Sequence, residues 1–197
     1  MNVKDMLRQA SDAAKQLITL SDQTIIGILK ETAQVLRTHT EEVLAANRQD
    51  LERMDPANPK YDRLKLTEER LQGIAADMEN VSTLPSPLNK VLSETTRPNG
   101  MVIRKVTVPF GVIGVIYEAR PNVTFDVFSL CFRSGNVCVL KGGSDADFSN
   151  RALVRIIHSV LERQGINPAV CTLLPPDREA TAELLGAVGL VDLIIPR

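Results

Sequence analysis

Val108-Pro109-Phe110-Gly111-Val112-Ile113-Gly114-Val115-Ile116-Tyr117-Glu118-Ala119-Arg120-Pro121-Asn122-Val123-Thr124 is the stretch whose reading decides the fold. Residues 112–117 are an unbroken apolar run, the pattern of a strand buried on both faces of a parallel sheet. The run stops at a polar corner, Glu118-Ala119-Arg120-Pro121, and Asn122 opens a helical pattern. Loops at the carboxyl ends of strands are where open α/β sheets bind ligands. A tight strand-to-helix turn would account for the proline and the asparagine, and the charged pair Glu118 and Arg120 exceeds what such a turn requires.

Outward from this corner, strands and helices alternate. A helix over 122–134 stops at Gly135, the position favoured for a left-handed C-cap. A short strand over 137–140 leads to a helix that Ser144 would cap, with Asp147 three residues on in capping-box fashion. That helix is expected to bury Phe148, Leu153, Ile156, Ile157, Val160 and Leu161 and to end at Gly165. A strand over 170–174, a helix over 177–188 closed by Gly189 and a strand over 193–195 follow. This alternation predicts parallel crossovers and a doubly wound, Rossmann-like sheet.

The N-terminal side is helical. Val3, Met6, Leu7, Ala10, Ala13, Ala14, Leu17 and Ile18 form one stripe at spacings of three and four. Ser21 and Thr40 are placed to cap a second and a third helix, and Thr67 a fourth, with Leu66 and Leu71 as a hydrophobic staple. Pro85 and Pro87 close this region. Arg97-Pro98-Asn99-Gly100 is a turn, with a strand over 101–108. The fold class is α/β: a helical region, 1–95, packed on a Rossmann-like cofactor domain, 96–197, that the sequence leaves incomplete. A last strand with no helix after it predicts an uncovered sheet face and an unpaired edge.

Composition narrows the function. Of 197 residues 44% are hydrophobic and 24% charged, and 23 basic residues balance 24 acidic ones. Such a balance predicts no nucleic-acid or anionic-membrane partner. The run over 110–117 is too short to cross a bilayer. Cys131, Cys138 and Cys171 lie in apolar contexts and read as reduced, buried and inert thiols of a cytoplasmic protein. His39 and His158 are the only imidazoles, and no spacing suggests a metal site.

Three loops share the rim of the sheet: residues 118–122, 141–147 and 175–177. In the middle one, Lys141 offers an ammonium, Gly142 and Gly143 let a ligand approach the backbone, and Ser144 begins a helix whose free amides favour anions. An ordinary αβ loop is the other reading. Asn122, a neutral amide at a helix start, could donate to a developing oxyanion or merely cap the helix. Arg120 could hold a phosphate or carboxylate with Glu118 orienting it, or the two could form a surface ion pair. Arg151, Arg155 and Arg163 read as a solvated helix face.

The string Tyr117-Glu118-Ala119-Arg120-Pro121-Asn122, within 108–124, closely resembles the gamma-glutamyl phosphate reductases of the aldehyde dehydrogenase superfamily. So do Val43-Leu44-Ala45-Ala46-Asn47 with Asp50, Asp62-Arg63-Leu64, Arg97-Pro98-Asn99-Gly100, Ser134-Gly135-Asn136 and Lys141-Gly142-Gly143-Ser144. The resemblance covers the whole chain but only the N-terminal half of the family's length. It implies NADPH-dependent reduction of L-glutamyl 5-phosphate to L-glutamate 5-semialdehyde on the route to proline, through a cysteine thioester. It assigns Asn122 to oxyanion stabilisation, Arg120 to the substrate, and Tyr117, Glu118, Lys141, Gly142, Gly143 and Ser144 to NADP(H). Ser144 stands where NAD-preferring relatives carry an acid, which favours NADPH, while Asp145 opposes it. The resemblance also implies a homo-oligomer when complete. The family's catalytic cysteine lies beyond Arg197 and matches none of the three here, so the 197-residue chain is expected to have no reductase activity. The alternatives are another acyl reductase of the superfamily and a non-catalytic domain ending at Arg197.

Overall fold

The computed structural model describes residues 2–197. The apolar stripe of the first segment forms α1 (Val3–Leu17), which Asn2 caps by accepting from the Asp5 N–H, but Ile18 is the C-cap just past the helix and is exposed rather than part of the buried stripe. Ser21 caps α2 (Asp22–Thr38). At α3 (Thr40–Leu51) the expected cap fails. His39 is the N-cap, and the Thr40 hydroxyl donates backward to the Arg37 carbonyl at 3.0 Å. The chain turns so tightly from α2 into α3 that Thr40 is already helical. A single helical turn, α4 (Tyr61–Leu64), precedes α5 (Glu68–Thr83), which Thr67 caps and the buried pair Leu66 and Leu71 staples.

Next comes an antiparallel hairpin, β1 (Val91–Thr96) and β2 (Val102–Val106), turning at residues 97–100. β1 falls inside the region read as helical. All its residues are exposed, so its sequence lacks the alternation that marks a half-buried strand. The main sheet contains β3 (Val112–Ile116), β4 (Val137–Lys141), β5 (Cys171–Leu173) and β6 (Leu193–Pro196), all parallel, in the order β5-β4-β3-β6. The crossovers are α6 (Asn122–Arg133), α7 (Asp147–Arg163) and α8 (Arg178–Leu185). Right-handed crossovers put α6 and α7 on one face and α8 on the other. The sheet is thus doubly wound, with its switch between β3 and β6.

Gly135, at φ +71, ends α6: its N–H meets the Phe132 carbonyl and the Asn136 N–H the Cys131 carbonyl at 2.8 Å, a Schellman closure. α8 is shorter than its sequence suggests. Asp177 caps it, accepting from the Ala180 N–H at 2.7 Å, and Gly186 rather than Gly189 is its C-cap.

α1 packs beside α8 against β4 and β5, while α2, α3 and α5 lie outside α6 and α7. One apolar core runs from Val3 through Phe125, Phe128 and Phe132 to Leu184. The uncovered face expected from the sequence is therefore confined to β6, where Leu193 and Ile195 are exposed. Among the described residues no helix is long and apolar enough to cross a membrane.

Candidate functional site

Hydrogen bonds join the three rim loops. The Tyr117 N–H donates to the Lys141 carbonyl at 3.1 Å. Lys141 Nζ donates to the carbonyls of Gly142 at 3.1 Å and Pro176 at 3.2 Å. Lys141 is 5% exposed, and burial holds its ammonium below the usual lysine range while Asp177 works the other way. Two of its three donors are engaged, leaving one for a ligand.

The aromatic ring of Tyr117 faces inward. Its hydroxyl shares a 2.7 Å hydrogen bond with Thr124, whose Oγ1 lies 3.0 Å from Asn150 Oδ1, and burial drives its pKa well up. It is a core residue that offers a ligand no hydroxyl. Glu118 does not orient Arg120; it pairs with Lys60 at 3.1 Å.

The two glycines differ in their surroundings. A Cβ on Gly142 would lie 2.3 Å from Asn150 Nδ2 and 3.4 Å from the Tyr117 ring, so the missing side chain makes room for the core. A Cβ on Gly143 would make only ordinary contact, 3.5 Å from Glu118 Cα. Gly142→Ala should therefore cost about 1–3 kcal/mol in urea unfolding, and Gly143→Ala less than about 0.5 kcal/mol. Equal costs would mean that crowding is not what selects Gly142.

Ser144 does not cap α7. Residues Ser144–Ala146 form a 3₁₀ turn, and Ala146 precedes α7 with no side-chain cap. The cap comes from α3: the Asp50 carboxylate accepts from the N–H groups of Phe148 at 3.1 Å and Ser149 at 2.7 Å, and from the Ser149 hydroxyl at 2.7 Å. One turn away, Asn47 Nδ2 donates to the Leu64 carbonyl and to Ser149 Oγ, and Asn47 Oδ1 accepts from the Leu66 N–H. Asn47 and Asp50 are both buried. Sequence reasoning gave them no role of their own, although two polar residues three apart on an apolar helix face are a readable signal. Arg53, one turn further on, donates to the Ser144 carbonyl at 3.3 Å and stands over the ring of Phe148, which is exposed at the start of α7 rather than buried as its apolar character suggests.

Asn122 is half-buried at the first turn of α6 and forms no N-cap bond. Its Nδ2 donates to Asp126 Oδ2 at 3.1 Å, leaving the second N–H without a protein acceptor among the described residues. Burial raises the pKa of Asp126, against the pull of the nearby Arg197. Asn122 and Arg120 line one cavity of about 350 Å³, and Arg120, Tyr117 and Glu118 line a second of about 200 Å³ beside the switch point.

The remaining candidates are structural. The three thiols are buried and unpaired; contact with Cys171 and burial raise the pKa of Cys138, and burial raises that of Cys131. His158 Nε2 lies 2.7 Å from the Cys171 carbonyl. Arg155 and Arg163 reach Glu42 and Glu31, and Arg151 pairs with Asp147, so this helix face is partly tied down rather than free in solvent. Among the described residues no group of acidic, histidine or cysteine side chains could hold a metal.

No protein-family model matches the chain. It is 99% identical over 197 residues to the gamma-glutamyl phosphate reductase of Parabacteroides distasonis, covering all of this chain and 48% of that protein. The crystal structure of the Thermotoga maritima gamma-glutamyl phosphate reductase matches the whole chain with 31% identity and a TM-score of 0.95, over 49% of its own length. A probable aldehyde dehydrogenase from Listeria monocytogenes shares the fold, at 17% identity and a TM-score of 0.74, with 98% of this chain and 40% of that one covered. The chain thus spans about half the length of the curated relatives it matches.

Proposed function

Because this chain belongs to the gamma-glutamyl phosphate reductase family, we propose that it forms the cofactor side of an NADPH-dependent reductase. The substrate is L-glutamyl 5-phosphate and the products are L-glutamate 5-semialdehyde and phosphate, on the route to proline. The observation that carries this reading is the joining, through the Tyr117 N–H, of the corner bearing Asn122 and Arg120 to the loop bearing Lys141. An acyl-transfer site and a nucleotide site that share one rim are what such a reduction needs.

In this reading the one free donor on Lys141 Nζ holds a ribose hydroxyl, and NADPH, when bound, supplies the hydride. Arg53 beside Ser144, with no acid at position 144, favours a 2′-phosphate, while Asp145 opposes it. The second N–H of Asn122 donates to the acyl oxygen as negative charge gathers there. Arg120 holds an anionic group of the substrate. The thiolate that forms the thioester is none of Cys131, Cys138 and Cys171, whose burial makes them poor nucleophiles. The reading takes the complete enzyme to be a cytoplasmic homo-oligomer and the 197-residue chain alone to be inactive.

Lys141→Met in the Parabacteroides distasonis reductase should raise KM for NADPH by about 10- to 100-fold, as loss of a charge-assisted hydrogen bond implies, with kcat nearly unchanged. An unaltered KM would remove Lys141 from the cofactor site.

A further inference from the structure

Six arginines, Arg48, Arg63, Arg97, Arg120, Arg178 and Arg197, form no ion pair among the described residues; the others are matched to carboxylates. Three of the six, Arg63, Arg120 and Arg197, line the cavity of about 200 Å³ at the switch point. Arg63 and Arg120 also line the adjoining cavity with Asn122. Unpaired guanidinium groups that gather at one cleft make it attractive to an anion.

The fold holds Arg63 in place firmly. Leu64 is fully buried against Ala119 and Ala146, in a small core touching both rim loops. Asn47 binds the backbone at Leu64 and Leu66. Arg70 donates to the carbonyls of Asp62 and Lys65 and to the Asp62 carboxylate, bracketing Arg63 from both sides. These contacts use the backbone and the neighbours of Arg63, and its own guanidinium makes no hydrogen bond. The carboxylates at the cleft are Asp62, engaged by Arg70; Glu118, engaged by Lys60; and Asp77.

We propose that Arg63 and Arg120 together bind the phosphate of the acyl phosphate, an assignment that rests on the acyl-phosphate reading above. That phosphate is bonded to the carbon whose oxygen Asn122 holds, so it must lie in the cleft that all three residues line. Two planar forks suit a phosphate dianion better than a single carboxylate does.

The test uses the Parabacteroides distasonis reductase run toward semialdehyde oxidation, with inorganic phosphate as the varied co-substrate. Arg63→Gln should raise KM for phosphate by about 10- to 100-fold, leave KM for the aldehyde and for NADP⁺ within about two-fold, and leave Tm unchanged because the side chain is exposed and unbonded. Arg63→Lys should recover part of the loss, keeping the charge without the fork. An unchanged phosphate KM in Arg63→Gln overturns the assignment. So does an equal rise for NADP⁺, which would give the cation to the dinucleotide, or a rise for the aldehyde alone, which would give it to the substrate carboxylate. Turnover by the unmodified enzyme without phosphate would strike the acyl-phosphate reading itself, whatever Arg63 does.

Discussion

Asn122→Ala should lower kcat of the Parabacteroides distasonis reductase by about 100- to 1,000-fold, the usual cost of removing one oxyanion donor, and should leave KM for NADPH unchanged. The expectation follows from the hydrogen-bond count at the amide. One N–H is held by Asp126 at 3.1 Å, which fixes the plane of the amide, and the other is unclaimed. In the thioester mechanism proposed above, a neutral donor would suit this position because a cation there would stabilise a thiolate nucleophile and lower its reactivity. Stability should fall by only about 1 kcal/mol, since a single half-buried hydrogen bond is lost. Steady-state kinetics with a parallel thermal melt separates the two effects. A kcat within about three-fold of the unmodified enzyme would leave Asn122 as nothing more than a helix residue.

The second large effect is on folding. Asp50→Ala should destabilise the protein by about 3 kcal/mol, combining the loss of a helix cap with buried N–H groups left unpaired. For a chain of this size that is a fall in Tm of roughly 6–12 °C. The pH dependence gives a sharper check. Burial raises the Asp50 pKa above the ordinary carboxylate value, against the hydrogen bonds from Ser149 and Phe148. A raised folded-state pKa contributes stability that is fully present below the unfolded pKa and is lost as pH rises through the folded one. The penalty for Asp50→Ala should therefore be larger near pH 4.5 than near pH 7.5. A larger penalty at the higher pH would mean that the hydrogen bonds outweigh burial and that the carboxylate is native as the anion.

Elements whose residues answer to a buried face were legible in the sequence. The strand beginning at Val112, the helix from Asn122 to its glycine stop, and the caps at Ser21 and Thr67 follow from local period and chemistry. What escaped depends on partners distant in the chain. Ser144 looked like a cap because it stands where a cap should, but a carboxylate 98 residues before Phe148 takes that role. Gly142 looked like room for a ligand, and its missing side chain makes room for Asn150. β1 was silent because an exposed hairpin need not alternate. The rim was legible in outline, since Asn122, Arg120 and Lys141 all stand at strand ends. Its supports, Asn47 and Asp126, and the fork at Arg63 become visible only when helices remote in sequence are brought together.

Asn47 and Asp50 have a further consequence for heredity. They bind α3 to α7 across the boundary near residue 95 that the sequence pattern suggests, and Arg133–Asp22 and Arg163–Glu31 cross it as well. Genetic recombination that joined the leading helices of one lineage to the sheet of another would separate these partners and strip the cap from α7. Descent should therefore pass the two portions on together, and a parallel sheet of this kind should not be borrowed without the helices that surround it.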